Sequence, residues 1–476
     1  MATLWMLAGL GSLVQAQPKA AKGSYRVEVQ IPQLRDTLLY MVSYFGKSNS
    51  KVDSAKTDAS GRAVFDADSS APVGMYMLVL KGNKEGNIKL FDYIISEEQH
   101  FSMATDTTNY TGKMKIKGSK ENELLFTYLR FLSDKSDEVK PIRQRLEAAK
   151  GDAKKEQAIR EELKVIDTQV KDYQKKLIAE NPKTLLSKFV RMVQEIEVPD
   201  PPTKPDGRID STFGYWYYRR HFFDNYDFND ERIWRTPVFY DKVEFFLEKM
   251  IPQHPDTIAK EAIAIIERAR GNKELFKYLA ANLTYKFETS KIVGQDAIFV
   301  QMALKYYTNN QAYWVEDSIA QKIVKRAKKL EPILVGKPAA NLIMQDTLLQ
   351  LRQLHDIKNR FTILFFMDPD CGHCKKEGVK IKEIYDRYHK EWDVQVYQVF
   401  ADTSMDKMKK YIRENNLRWI NVNGPRNLNT PYHDLYDINS TPQIFILNDE
   451  RKIIMKRIAA EQIEDFMKHY IKNGDS

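Results

Sequence analysis

Cysteine is almost absent. The 476 residues carry two, Cys371 and Cys374, and both fall in a single Cys-x-x-Cys run. Two thiols cannot build a disulfide scaffold, and they fall short of the four ligands of a structural zinc site. The eight histidines are scattered, with no pair at ligand spacing, so no metal is expected. Long apolar runs are absent too: no stretch reaches the ~18 residues that a membrane-spanning helix needs, and no membrane span is expected. Charge of one sign does not dominate. Lys and Arg number 74 against 65 Asp and Glu, a net +9 with the signs interleaved, which argues against a nucleic-acid-binding stripe. No P-loop and no dinucleotide fingerprint occurs, and no cofactor is expected. What is present is ordinary globular composition, 43% apolar and 29% charged. That excludes an intrinsically disordered chain, and the length suggests two to four domains.

The N-terminus has its own signal. Leu4 to Val14 is an apolar stretch of 11 residues, the length of a signal-peptide hydrophobic region. Val14-Gln15-Ala16 offers small residues at the −3 and −1 positions of a cleavage site before Gln17. The usual basic residues ahead of the apolar stretch are missing. Residues 1–16 are expected to be an export signal, which would place the chain in an oxidising compartment. No cysteine lies near the cleavage point, so a lipid-anchored lipoprotein is excluded.

Beyond it, three compositional zones follow, and the fold class expected is multidomain α+β. Residues 25–118 read as a β-sandwich-like domain. Tyr25 to Ile31 alternates apolar and polar, Thr37 to Phe45 and Met75 to Leu80 are β-branched or aromatic, and Asp58-Ala59-Ser60-Gly61 marks a turn. Residues 119–332 read as a helical region. Ile159, Leu163, Ile166, Val170, Tyr173 and Leu177 recur at steps of four and three, which predicts a helical hairpin packing on itself. Residues 198–207 hold four prolines in ten positions and read as a linker or long loop. An aromatic cluster follows, from Tyr215 to Trp234, with Arg219, Arg220 and Arg232 interspersed. Stacking on bases or sugars is one reading; a helical core with arginine stems packed over it is the favoured one.

Residues 333–476 carry the chemistry. Phe361 to Met367 is a β-branched and aromatic run, hence a buried strand, and Asp368-Pro369-Asp370 ends it. Cys371-Gly372-His373-Cys374 then opens an amphipathic helix over 375–389, with Val379, Ile381, Ile384, Tyr385 and Tyr388 on its apolar side. At a helix start, free N–H groups and the helix dipole favour a thiolate at Cys371. Cys374 lies one turn further in, close enough to close a disulfide with it. Strands over 394–400, 443–447 and 452–458 and helices over 404–415 and 462–470 complete a β-α-β-α-β-β-α order.

This domain resembles the thioredoxin superfamily, and within it the TlpA/ResA-like envelope thiol–disulfide oxidoreductases. The resemblance rests on Gly336-Lys337-Pro338, on Asp368 to Glu377 and on Thr441-Pro442. It implies that Cys371 is the attacking nucleophile and Cys374 the resolving thiol. It implies that Pro442 is cis and lies against the disulfide, leaving the Thr441 backbone to pair with an incoming substrate strand. It implies that Glu377, three residues past Cys374, accepts a proton from that thiol or tunes it. The Gly-His dipeptide resembles protein disulfide isomerase, and His373 is expected to favour the reduced form. Two positions depart from the superfamily pattern: Asp370 stands where a Trp precedes the first cysteine, and Phe365 where a buried Asp would lie. Asp370 disfavours a thiolate at Cys371, and Lys375 and Lys376 are expected to oppose it.

The resulting expectation is an exported thiol–disulfide oxidoreductase, in the periplasm or envelope of a Gram-negative bacterium. Its partners would be protein thiols and disulfides, plus a membrane or periplasmic redox partner. The alternative is an envelope interaction protein whose thioredoxin domain senses redox state or docks a partner. A thiol peroxidase is disfavoured, because Asp368 and Met367 occupy the positions where such enzymes keep Thr and Pro.

Overall fold

The computed structural model describes residues 23–82 and 86–474, so the expected export signal at 1–16 lies outside it. The chain forms two compact units. One comprises residues up to 252 together with 265–276; the other comprises 253–264 together with 277 onward. The helices expected over 119–332 are therefore shared between the units.

In the first unit, period-two burial builds two sheets. Their strands are β1 (Tyr25–Gln30), β2 (Leu38–Phe45), β3 (Ser48–Lys56), β4 (Arg62–Ala67), β5 (Gly74–Leu80), β6 (Ile88–Ile95), β7 (His100–Ala104) and β8 (Lys115–Lys117). The sheet orders are β4-β1-β7-β8 and β3-β2-β5-β6. Val27 and Val29 of the first sheet share one core with Leu39, Met41, Leu78 and Tyr93 of the second, the arrangement of a sandwich. The predicted turn at 58–61 forms because the Asp58 carboxylate accepts from the Ser60 and Arg62 N–H groups. Gly61 takes φ +80° there, and a Cβ would fall 2.1 Å from the Ile31 carbonyl oxygen.

Helices α1 (Lys120–Ala148), α2 (Ala153–Glu180) and α3 (Leu185–Val193) follow. Ser119, Asp152 and Thr184 cap their starts with side-chain oxygens. The hairpin of α1 and α2 is closed by Phe131 stacked on Tyr173 at 4.1 Å and by an Arg145–Glu162 ion pair. Then come α4 (Phe213–His221), α5 (Phe239–Phe245), α6 (Pro255–Arg268) and α7 (Lys273–Glu288). The aromatic cluster divides. Phe222, Phe223, Tyr226, Phe228 and Trp234 are core, whereas Tyr215 and Trp216 on α4 are exposed. The all-core expectation holds only past α4, because that short helix buries no residue fully.

The second unit adds α8 (Asp296–Tyr306) and α9 (Asp317–Leu330) to the thioredoxin-like domain. In chain order the latter is β9 (Ile343–Gln345), β10 (Leu351–Gln353), β11 (Phe361–Met367), α10 (Gly372–Tyr388), β12 (Val394–Phe400), α11 (Met405–Glu414), β13 (Ile420–Asn427), α12 (Tyr432–Leu435), β14 (Gln443–Leu447), β15 (Ile453–Lys456) and α13 (Ala460–Asn473). The sheet runs β10-β9-β13-β12-β11-β14-β15. Every residue of β11 is buried, as a central strand covered on both faces requires. The sequence reading lacks β13. Its Asn421, Asn423, Gly424 and Pro425 look like turn residues, yet the strand pairs in parallel with β12. Steps from β11 to β12 to β13 run one way along the sheet, so right-handed crossovers put α10 and α11 on one face. Their core there includes Phe365, Cys374, Ile381, Tyr411 and Met467. Val379, expected on the apolar side of α10, is exposed; Gly378 takes the inward place.

Candidate functional site

The site is built where β11 stops. Cys371 N–H donates to the Asp368 carbonyl at 3.1 Å, and Asp370 N–H to the Asp368 carboxylate at 2.8 Å. This turn leaves Cys371 in the N-cap position of α10, with extended backbone at φ −79°. A cap side chain accepts from the first free N–H groups of a helix. Here the acceptor is sulfur: Cys371 Sγ receives the Cys374 N–H at 3.2 Å. Gly372 has open space around it, and His373 is exposed on the first turn, so the mouth of the motif faces outward.

Opposite the thiol lies the loop before β14. The Thr441–Pro442 peptide bond is cis, as the resemblance implies. The Cys371 thiol points to the Thr441 carbonyl oxygen at 3.8 Å.

Cys374 faces inward and has no exposed surface. Burial pushes its thiol up to about 11, helped by the neighbouring Cys371, while the Asp368 backbone and the Thr441 hydroxyl pull the other way. Behind it, Gly378 lets α10 and α11 approach: a Cβ there would sit 2.9 Å from the Tyr411 hydroxyl oxygen. Glu377 is half-buried one turn past Cys374. Its Oε2 accepts from the Ala460 N–H at 2.5 Å, at the start of α13.

Asp370 takes its charge partner from outside α10. Lys375 and Lys376 are exposed on α10. Lys407, from the first turn of α11, donates to Asp370 Oδ2 at 2.6 Å and to Asp402 Oδ2 at 2.9 Å. Asp368, Asp370 and Asp402 have carboxylate oxygens within 4.8 Å of one another, and this ammonium bridges two of them. Lys407 is the residue of the site that sequence reasoning missed. It lies 37 positions past Asp370, and nothing local in the sequence links the two.

Residues 335–456 match the AhpC/TSA family; residues 25–125 and 152–330 match two families described as domains of unknown function, DUF4369 and DUF5106. The thiol-disulfide oxidoreductase ResA of Bacillus subtilis is 28% identical over 151 residues, covering 31% of this chain and 80% of that one. ResA of Bacillus cereus is 25% identical over 144 residues, covering 30% and 79%. Among solved structures, a domain of possible thiol-disulfide isomerase from Cytophaga hutchinsonii is 35% identical, covering 29% of this chain and 95% of that one, with a TM-score of 0.28. A thioredoxin-like protein from Bacteroides caccae is 18% identical, covering 58% and 99%, with a TM-score of 0.43. A thiol at a helix N-cap, a buried second thiol one turn on and a cis-proline loop across from them all stand within residues 335–456, the segment that matches the AhpC/TSA family. Residues 335–456 thus form a thioredoxin-like domain similar to the ResA thiol–disulfide oxidoreductases.

Proposed function

We propose that the protein is exported and exchanges disulfides with protein substrates through Cys371 and Cys374. The observation that carries this reading is the contrast in placement: Cys371 Sγ is partly exposed and hydrogen-bonded by the Cys374 N–H, while Cys374 is fully buried. In the reducing direction, the Cys371 thiolate attacks one sulfur of a substrate disulfide. The S–S bond breaks, and the departing sulfur leaves as a thiolate that takes up a proton. Cys374 then loses its proton and attacks the Cys371 sulfur, releasing the second substrate thiol. Two electrons pass to the substrate, and a Cys371–Cys374 disulfide remains for a membrane or periplasmic redox partner to reduce. The oxidising direction is the same path reversed.

Four other groups take roles in this proposal. The Thr441 backbone, beside Cys371, pairs with the extended substrate, and Pro442 forms the wall next to the sulfurs. His373, when protonated, favours a thiolate in its vicinity. Glu377 accepts the proton of Cys374 during resolution, held in place by the Ala460 N–H.

A single trapping experiment tests the reading. Cys374→Ser, expressed in an envelope-bearing host, accumulates mixed disulfides with client proteins, whereas Cys371→Ser forms none and loses turnover by at least about 10³-fold, the scale of a lost nucleophile. Intact mass of the trapped chain gives its first residue, expected at or near Gln17. Trapping through Cys374, or an intact Met1 on the cellular protein, would refute the assignment or the export respectively.

A further inference from the structure

We infer that Arg326, on α9 and outside the thioredoxin sheet, is a positioning residue for disulfide exchange, because it anchors the loop 437–442 that carries Thr441 to the attacking sulfur. The inference rests on the exchange function proposed above. Asp437 opens this loop with a left-handed backbone, φ +53°, and its side chain has no exposed surface. A buried carboxylate needs full compensation. Asp437 Oδ2 accepts from Arg326 Nη1 at 2.6 Å and from Arg457 Nη2 at 2.8 Å. Its Oδ1 accepts from Asn439 Nδ2 at 3.0 Å, with Lys329 Nζ 3.5 Å away. Burial alone would raise the carboxyl, but the Arg326 guanidinium, together with Asn439 and Arg457, outweighs it and holds the group below its ordinary range.

The far end of the loop is tied as well. The Arg457 N–H donates to the Ile444 carbonyl at 2.7 Å, so the same cluster grips β14, the strand that follows Pro442. Between these two anchors lie Ser440, Thr441 and Pro442, with the Thr441 carbonyl 3.8 Å from Cys371 Sγ. The sequence of α9 explains why the clamp reaches. Ile323, Ala327 and Leu330 bury one stripe of the helix, and Arg326 and Lys329, three apart, flank it on one side. A second ionic tie shows what an anchor without this role looks like. Lys456 on β15 pairs with Asp296 at the start of α8 and donates to the Ile333 carbonyl at 2.8 Å. It fastens the edge of the sheet, two strands from β11; it acts on Asp437 through charge alone and makes no hydrogen bond to the loop 437–442.

Attack on a disulfide needs sulfur aligned with sulfur, and a substrate aligned by the Thr441 backbone inherits any looseness of the loop. A small alkylating reagent makes no use of it. The test compares the full-length wild type with Arg326→Met, Arg326→Lys and Asp296→Asn. The probes are a fluorogenic disulfide-linked peptide and iodoacetamide. In Arg326→Met, Asp437 keeps Arg457 and Lys329, so the fold is expected to survive. Its kcat/KM for the peptide should fall about 10-fold, the scale of a small misplacement of reactants, mostly through KM. Alkylation of Cys371 should stay within about twofold, as it does not depend on substrate alignment. Arg326→Lys should recover most of the loss, and Asp296→Asn should lower the melting temperature while leaving exchange unchanged. Wild-type exchange by Arg326→Met would overturn the inference. So would equal losses of exchange and alkylation, or an equal loss in Asp296→Asn, since each marks a general loosening. If the wild type exchanges no disulfide, the functional reading itself falls, and the inference with it.

Discussion

The two thiols of the motif sit one helical turn apart in opposite surroundings. At the mouth, around Cys371, are carboxylates, an ammonium and a backbone carbonyl: Asp368, Asp370, Lys407 and Thr441. Inside, Cys374 belongs to the buried cluster that includes Phe365, Met367, Ile381, Phe400 and Tyr411. The difference follows from where β11 ends. A strand buried on both faces delivers the chain to the surface at its C-terminal end, and the helix that starts there points its first inward residue straight back into the core. In the proposed exchange one thiol therefore meets the substrate, and the other stays neutral until a disulfide forms beside it. The division of labour comes from position on the helix, not from a difference in residue type.

The strongest way to break this comparison is to remove the proton acceptor assigned to the inner thiol. Glu377→Gln keeps an oxygen for the Ala460 N–H and removes the base. Resolution of the mixed disulfide should slow by about 10²-fold, the low end for a positioned acid–base group. The rate–pH profile should lose one limb, with the fold intact. Resolution at the native rate from pH 5 to 9 would leave Glu377 as a link between α10 and α13 and nothing more.

A second test asks whether burial at Cys374 acts as described. Its thiol is raised from the usual range near 9 to about 11 by burial, so the folded chain holds this proton more tightly than the unfolded chain. That contribution to stability is complete below the unfolded value and disappears as pH climbs through the folded one. The reduced protein should lose up to about 2 kcal/mol between about pH 9 and 11, less whatever screening takes away. Cys374→Ala should lack this part of the slope. Denaturant titrations of both proteins across that range decide it; parallel curves would mean that the inner thiol is no more buried in effect than the outer one.

How much of this was legible in the sequence differs between the two regions. The inner one was readable almost whole. Phe361 to Met367 is so uniformly apolar that its burial and its length follow directly, and Cys374 inherits its environment from that strand. The sandwich strands were legible for the related reason that alternation records a half-buried face. The turn-like composition of β13 hid a strand, because tertiary pairing with β12 overrides local propensity. Val379 misled in the other direction, since an apolar residue on an amphipathic helix can still face water. At the mouth, Cys371 and Pro442 were legible from the motif. Their polar neighbours were not: Lys407 and Arg326 reach Asp370 and Asp437 across 37 and 111 positions, and an ion pair leaves no local pattern.

Lys407 gives the smallest expected effect and the sharpest test of the outer region. Its ammonium lies between Asp370 and Asp402, and without it the carboxylates at the mouth would stand together without that compensation. Asp370 directly precedes Cys371, the proposed nucleophile, so its negative charge opposes a thiolate there. The Lys407 side chain is half exposed, 49%, so solvent weakens its influence, and only an effect on the scale of a surface pair is expected. Lys407→Met should slow alkylation of Cys371 at pH 7 by about 3- to 5-fold at low ionic strength. Raising salt to ~1 M, where the Debye length shrinks to about 3 Å, should remove most of that difference. Lys407→Arg should behave as wild type, since it can span the same two carboxylates. A loss that ignores salt would point to a displaced turn at 368–371 in place of a charge effect. No loss at low salt would mean that the negative charge of Asp370 is already spent on solvent, and that the mouth owes its reactivity to the helix start alone.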